Sequence, residues 1–500
     1  MLQAGLDRAL AQRGWLQAVI CATIGGVAAL GLAPFGLWPL TVLALGWLFA
    51  ILRKTRSGKH ALGLAWAAGA GYFAVSLMWL VEPFLVDVAR HGWLAPIALS
   101  AACLYFGFYW AVMGWITHHA RGQALGFIAA FVVTEFARGY FFTGFPWAQI
   151  GHVWIDTPVL HWSSIAGSLG LTALVALAAV GVTFMVERHW RRGCAILSIP
   201  VALFVAGILA TPEFPPTDAA PMIRLVHPSE PQQERWDPDK IPGNFQRKLD
   251  FTAGDGAVSA DLIVWPETSV PTLLSRAEPW FDAMTEAAAG TPVVAGLQRF
   301  DGDDFYNSLI RLDGEGEVDA VYDKHHLVPF GEFVPFGETL AKFGIFGLAD
   351  TTGGGYAAGP GPQILDFGPL GRALPLICYE GVFPRDVRYD TRPDFLLLIT
   401  NDAWFGEFSG PYQHLDQARL RSAEQGLPMI RVANTGVTAM IDATGQVTHQ
   451  LGLGEAGWID APLPPARPIT IYARLGDLPI AALFLVILTL YALRARKSGS

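Results

Sequence analysis

A polytopic α-helical membrane domain joined to an α/β domain is the fold class this sequence predicts, and three observations carry it. Of 500 residues, 52% are hydrophobic and only 15% charged, with a mean hydropathy of +0.37. A soluble domain has about a quarter of its residues charged, so much of the chain belongs in lipid. Long apolar runs crowd the first part of the sequence, and one more lies near residue 485. Between them is a polar stretch of about 250 residues, enough for an independent core, and most of the acidic side chains sit there.

Crossing the hydrocarbon layer takes about 20 apolar residues in a helix. Candidate spans are 15–33, 37–52, 61–81, 93–116, 124–138, 163–186, 194–211 and 477–493, with the second, fifth and last short. About eight transmembrane (TM) helices result. The expected organisation is a membrane domain over 1–211 with about seven helices, a polar domain over 220–465 and a C-terminal helix over 477–493. Because further spans follow the first apolar run, that run does not read as a cleavable signal. Gly63, Ala67, Ala68, Gly69, Ala70 and Gly71 allow neighbouring helices to approach closely. Glu135 and Arg138 share one face near the end of the fifth span. They are expected to snorkel to the interface rather than act chemically.

Basic residues flanking the spans set orientation. Arg8 and Arg13 precede the first span, and Arg53, Lys54, Arg56 and Lys59 follow the second. Arg121 lies after the fourth, Arg188, Arg191 and Arg192 after the sixth, and Arg494, Arg496 and Lys497 after the last. The opposite loops carry almost none, Arg90 excepted. Both termini are therefore expected in the cytoplasm and the polar domain outside it.

Pro-rich linkers bound that domain, at Thr211-Pro-Glu-Phe-Pro-Pro and near 462–468. Ile223–Val226, Leu262–Trp265, Val293–Leu297, Leu374–Cys378 and Phe395–Thr400 read as strands, Phe281–Ala289 and Gln413–Gln425 as helices. The alternation argues for an α/β or layered α+β domain. The net charge of -9 argues against a nucleic-acid partner. Cys21, Cys103 and Cys194 lie in or beside apolar runs, whereas Cys378 stands alone in the polar domain and has no partner there for a disulfide.

Three segments put a reactive group just after an apolar strand: Leu262-Ile-Val-Trp-Pro-Glu267, Val321-Tyr-Asp-Lys324 and Leu374-Pro-Leu-Ile-Cys378. Strand ends are where side chains from several strands converge. A cysteine can attack a carbonyl and form a thioester. A partly desolvated glutamate can take the thiol proton. A nearby ammonium favours the thiolate and, with the backbone N–H after Cys378, stabilises the tetrahedral oxyanion.

Trp-Pro-Glu267, Lys324 before Leu327-Val-Pro-Phe-Gly-Glu332, and Cys378-Tyr-Glu380, in that order, resemble the nitrilase (carbon–nitrogen hydrolase) superfamily. Membrane spans on both sides narrow the resemblance to the apolipoprotein N-acyltransferase family of the Gram-negative inner membrane. Thr143-Gly-Phe-Pro-Trp147-Ala-Gln and Thr400-Asn-Asp-Ala-Trp-Phe405 are similar to that family too. The resemblance implies an αββα sandwich on an eight-helix base, with Glu267, Lys324 and Cys378 as catalytic triad. Glu332, Tyr379, Glu380, Trp236 and Trp147 are implied as supporting or substrate-binding residues. It implies an acyl chain taken from a phospholipid, phosphatidylethanolamine in particular, onto Cys378 and passed to the α-amino group of the diacylglyceryl-cysteine of an apolipoprotein. No cofactor, a monomer, and a periplasmic catalytic domain are also implied.

Other features read more plainly. His325-His326 and His118-His119 could suggest metal, but neighbours on a strand face opposite ways and no third ligand stands at useful spacing. Thr351-Thr-Gly-Gly-Gly-Tyr is a loop without the lysine of a phosphate-binding motif. Phe343-Gly-Ile-Phe-Gly-Leu reads equally as a lid dipping into the bilayer or as a covered loop. The rival activities are a membrane-anchored amidase with water as acceptor and a transporter carrying a sensing domain. Eight spans exceed what an anchor needs, and few charges lie inside the spans to couple ion transport.

Overall fold

The computed structural model describes residues 12–121, 123–210, 220–256, 259–334 and 355–497. The chain divides into two compact units. One comprises the described parts of Met1–Pro212, Phe408–Asp416 and Ile469–Ser500; the other comprises those of Glu213–Glu407 and Gln417–Pro468.

The first unit is helical. Its longer helices are Gly14–Ala29, Trp38–Leu52, Gly58–Ser76, Ala95–His119, Ala124–Tyr140, Ser163–Val186, Trp190–Leu209 and Leu478–Lys497. Each falls on one of the eight apolar runs; among the described residues three segments are long and apolar enough to cross a membrane, Val88–His119, Pro158–Val186 and Trp190–Leu209, or four if the bent pair Gly58–Ser76 and Met78–Leu85 is one span. The expected span 61–81 breaks, since Gly58–Ser76 and Met78–Leu85 meet at a 67° bend. Gly58–Ser76 packs against Gly14–Ala29 through small residues. A Cβ on Gly25 would sit 1.8 Å from the Ala68 carbonyl oxygen, and one on Gly71 would sit 1.9 Å from that of Ala22.

Glu135 and Arg138 do not snorkel. Both are 1% exposed and pair at 2.6 Å. Arg138 also donates to the Phe145 and Trp147 carbonyls at 2.5 and 2.8 Å, so the pair holds the following loop in shape. A buried charge is tolerated when partners surround it, and the loop's carbonyls supply them.

The second unit is a sandwich of two six-stranded sheets. The first sheet contains β1 (Met222–His227), β2 (Leu262–Val264), β3 (Val293–Asp301), β4 (Asp304–Leu312), β5 (Val318–Asp323) and β12 (Gly457–Pro462), in the order β12-β1-β2-β3-β4-β5. The second contains β6 (Leu365–Asp366), β7 (Arg372–Ile377), β8 (Phe395–Thr400), β9 (Met429–Ala433), β10 (Thr438–Ile441) and β11 (Val447–Leu451), ordered β11-β10-β9-β8-β7-β6. Each has a parallel centre, β1-β2-β3 or β7-β8-β9, flanked by antiparallel strands.

Cover on both faces explains why the central strands are largely apolar. Ile223, Leu225, Leu262 and Val264 face inward to meet Ile377, Leu397, Ile399 and Ile430 of the other sheet. Val226, Ile263, Val293 and Ala295 face outward, against Phe245 of the Ile241–Ala253 helix and Phe281 and Met284 of the Glu278–Ala288 helix. Two strands end one residue earlier than expected, at Val264 and Ile377. Trp265 and Cys378 therefore start the connections at the sheet edge, where chain direction can change.

Candidate active site

Glu267, Lys324 and Cys378 follow the C-terminal ends of β2, β5 and β7, and Asn401 follows β8. All three reactive side chains are buried. Asn307 Nδ2 donates to Glu267 Oε1 at 2.7 Å, and the Asn401 backbone N–H donates to Oε2 at 2.8 Å. Lys324 Nζ lies 2.7 Å from Glu332 Oε1 and 3.8 Å from Glu267 Oε1. Glu332 Oε2 accepts from the Val328 N–H at 2.8 Å. Lys324 is thus clasped between two carboxylates, with Asn307 reaching both.

Backbone conformation aims the nucleophile. Cys378 has φ +52°, a left-handed conformation that costs an ordinary residue energy and marks an over-determined turn. Glu380, two residues on, is fully buried. It accepts from the Ile377 N–H and from Tyr322 Oη at 2.7 and 2.9 Å, and from the His325 and His326 N–H groups at 2.7 and 3.2 Å. One carboxylate therefore ties the turn at Cys378 to the segment after Lys324. Glu332 touches Lys324 directly, whereas Glu380 acts through backbone. Tyr379 is buried edge-on against Phe383 and His326.

Electrostatics set the resting protonation. Burial pushes the Cys378 thiol well above its ordinary value, the Glu267 carboxylate adds to this, and Lys324 and Thr400 only partly oppose it. The expectation that Lys324 would favour the thiolate holds in sign, but desolvation outweighs it. The resting group is a thiol and needs a base. Burial raises the pKa of Glu267, Lys324 opposes and Glu332 reinforces the rise, which suits a base working near neutral pH. For Lys324 burial would lower the pKa, but Glu332, Glu267 and Cys378 overcome it and the ammonium is retained.

The remaining expected residues are elsewhere. Trp236 is 47% exposed, beside the buried Arg235. Trp147 is in the helical unit, fully buried, where its Nε1 donates to Gln413 at 2.7 Å and its ring stacks on His414. His325 and His326 are not on a strand, because β5 stops at Asp323. They turn toward one carboxylate, with His326 Nδ1 2.5 Å and His325 Nε2 3.6 Å from Asp386. Among the described residues no cluster of ligands suited to a metal is found. Residues 343–348 and Thr351–Gly354 lie outside the described residues.

Sequence reasoning missed several positioning residues. Arg235 donates to both the Glu267 and Thr268 carbonyls, and Asn307 is the single asparagine of β4. Gly296 on β3 is the third. A Cβ there would lie 2.3 Å from the Thr268 nitrogen and 2.7 Å from the Glu267 Cα. Gly296→Ala is expected to push the Glu267 turn outward, cost about 1–3 kcal/mol of stability, and lower turnover about a hundredfold. Thermal unfolding and acyl-transfer rates on the purified variant check both.

His325 supplies a pH test. Burial alone would lower its pKa, but the nearby carboxylates of Asp386 and Glu380 raise it to about 9. Its unfolded value is about 6.5, so the protonated ring stabilises the fold fully below that pH. That contribution is lost as pH rises through about 9. The thermal midpoint is expected to fall over this window, with a shallower fall in His325→Gln.

Comparison with known proteins extends these observations. A family model described as apolipoprotein N-acyltransferase N-terminal domain matches residues 24–181, and one described as carbon-nitrogen hydrolase matches residues 231–470. An apolipoprotein N-acyltransferase of Rhodopseudomonas palustris is 34% identical, with 97% of each chain covered. That of Bradyrhizobium diazoefficiens is 35% identical over 97% of this chain and 96% of the relative. Similar solved structures include a CN-hydrolase superfamily protein from Xanthomonas campestris, 22% identical, covering 49% of this chain and 90% of that one with TM-score 0.36. An amidase from Nesterenkonia sp. AN1 is 18% identical, covering 55% and 100%, with TM-score 0.38.

Proposed function

The chain belongs to the apolipoprotein N-acyltransferase family, and from that premise we propose that it moves an acyl chain from a membrane phospholipid to the N-terminal amine of a lipoprotein. The acceptor is the diacylglyceryl-cysteine that begins an apolipoprotein, and the donor is phosphatidylethanolamine. What carries this reading is that the family similarity runs through both the helical unit and the sandwich, not the sandwich alone.

The chemistry proceeds in two halves. Glu267 takes the Cys378 proton, and the thiolate attacks the ester carbonyl of the phospholipid. Lys324 and the Tyr379 backbone N–H stabilise the oxyanion. The intermediate collapses to a thioester on Cys378, and Glu267 returns its proton to the departing lysophospholipid alkoxide. In the second half the lipoprotein amine attacks the thioester with Glu267 as base, the thiolate leaves, and Glu267 returns the proton to it, restoring the resting thiol. The buried Lys324–Glu332 pair supports this assignment, because a fixed cation beside the reacting carbon needs no reorganisation as charge develops. Glu332 and Glu380 support the site, the first through Lys324 and the second through the backbone around Cys378, and Tyr379, Trp236 and Trp147 take supporting or substrate-binding roles.

The protein works as a monomer in the bacterial inner membrane. Its eight helices include seven within 1–211 and one over 477–493; both termini are cytoplasmic, and the catalytic domain, 220–465, is periplasmic. The basic residues flanking the helices support that orientation. A synthetic diacylglyceryl-cysteine peptide, incubated with enzyme in phospholipid–detergent micelles, tests the activity. Mass spectrometry is expected to find a third acyl chain on the peptide amine; release of free fatty acid with the peptide unmodified would make water the acceptor and the enzyme a hydrolase.

A further inference from the structure

Cys378 and Thr400 leave adjacent parallel strands side by side. The register pairs Ile377 with Ile399, so the next residue of each strand arrives at the same edge, and the Thr400 hydroxyl stands beside the Cys378 sulfur, where it favours ionisation. The same hydroxyl lies 2.9 Å from Asp402 Oδ1. Asp402 pairs in turn with Arg431 Nη2 at 2.6 Å. Thr400, Asp402 and Arg431 are each wholly buried.

A carboxylate paired with a guanidinium is an acceptor only. The one hydrogen of the Thr400 hydroxyl therefore points to Asp402 in the resting site, and its oxygen is left to accept the Cys378 S–H. Ionisation reverses the demand at sulfur, since a thiolate can only accept. Asp402 retains Arg431 as partner when the hydroxyl turns away, so the turn does not strand its charge.

We propose that Thr400 is a further catalytic residue, whose hydroxyl turns its hydrogen from Asp402 to the Cys378 sulfur as the thiol ionises and so stabilises the thiolate. The movement is one rotation about the Cβ–Oγ bond. The thiol proton goes to Glu267, and Thr400 keeps its own hydrogen throughout. Once sulfur is acylated it accepts weakly, and the hydroxyl turns back to Asp402. When the amine displaces the acyl chain, the departing thiolate draws the hydrogen again. Glu267 and Asp402 face the sulfur and oppose its ionisation, Lys324 faces it and favours it, and the neighbouring Tyr379 ring is buried beside them. Asp402 and Arg431 act through Thr400 and are positioning residues.

The inference rests on Cys378 being the nucleophile, and the test keeps the two apart. Alkylation of Cys378 by iodoacetamide is followed against pH in full-length detergent-purified protein, with the modified peptide read by mass spectrometry. Thr400→Val keeps the side-chain shape without the hydroxyl, and Thr400→Ala makes the same deletion in a smaller volume should valine disturb folding. Either is expected to raise the alkylation midpoint by about one pH unit and slow the reaction about tenfold on the rising limb. Thr400→Ser is expected to remain within about twofold of wild type, because it restores the donor. Unchanged profiles in the valine and alanine variants would overturn the proposal, as would a serine variant that behaves like valine. Unreactive wild-type Cys378, together with full acyl transfer by Cys378→Ser, would overturn the nucleophile assignment itself.

Discussion

Cys378→Ser is expected to lower acyl transfer by on the order of 10⁴-fold or more while leaving the thermal midpoint nearly unchanged. Serine occupies almost the same volume and can hold the same turn. The site already disfavours an anion at this position, since burial and Glu267 push even a thiol's pKa upward. An alkoxide, far more basic than a thiolate, lies beyond what Glu267 can generate. Peptide acylation measured by mass spectrometry checks the rate, and calorimetry checks the fold. Activity within about tenfold of wild type would place the nucleophile elsewhere.

Lys324→Met is expected to damage both stability and catalysis. The ammonium lies 2.7 Å from Glu332 and 3.8 Å from Glu267; its removal leaves two buried carboxylates bridged by Asn307. Breaking a buried pair from one side typically costs about 3–5 kcal/mol. Loss of the oxyanion donor is expected to lower turnover about 10³-fold. The stability loss has a pH signature. Without the cation, Glu267 and Glu332 repel one another, and one takes up a proton in the folded state more readily than in the unfolded chain. The variant's deficit should therefore shrink as pH falls toward 5 and grow toward 8. Denaturant unfolding at about pH 5 and about pH 8 measures it; an equal deficit at both would mean that the carboxylates do not sense the lysine.

Much of the sandwich was legible because its central strands are buried on both faces and so read as short apolar runs. Leu262–Val264 and Phe395–Thr400 are such runs, and each delivers its site residue at the next turn. Lys324 was legible only through its surrounding motif, because nothing in one lysine says that two carboxylates will enclose it. Asn307 was not legible at all: a single asparagine in a strand gains meaning only when β4 lies beside the Glu267 turn. Arg235 and Gly296 escaped for the same reason, since both act on the backbone around Glu267 across the fold.

The misjudged features share a physical cause. Glu135 and Arg138 sit where hydropathy suggests an interface, but the loop carbonyls of Phe145 and Trp147 make burial tolerable. The run 61–81 is apolar throughout, and composition does not register the 67° bend within it. Adjacent histidines separate only on a regular strand, and β5 ends before His325. The resting state of Cys378 depends on desolvation by residues from both sheets, a tertiary quantity that spacing along the chain does not carry.

The most direct test of the account is to isolate the acyl-enzyme. Wild-type protein is incubated with phosphatidylethanolamine carrying a labelled acyl chain, without acceptor, and digested under conditions that preserve thioesters. The expected result is a labelled acyl group on the Cys378 peptide, removed by hydroxylamine and transferred intact when the diacylglyceryl-cysteine peptide is added. A fully active preparation that shows no acylated Cys378, or that carries a chain there which never reaches the peptide, would contradict transfer through Cys378.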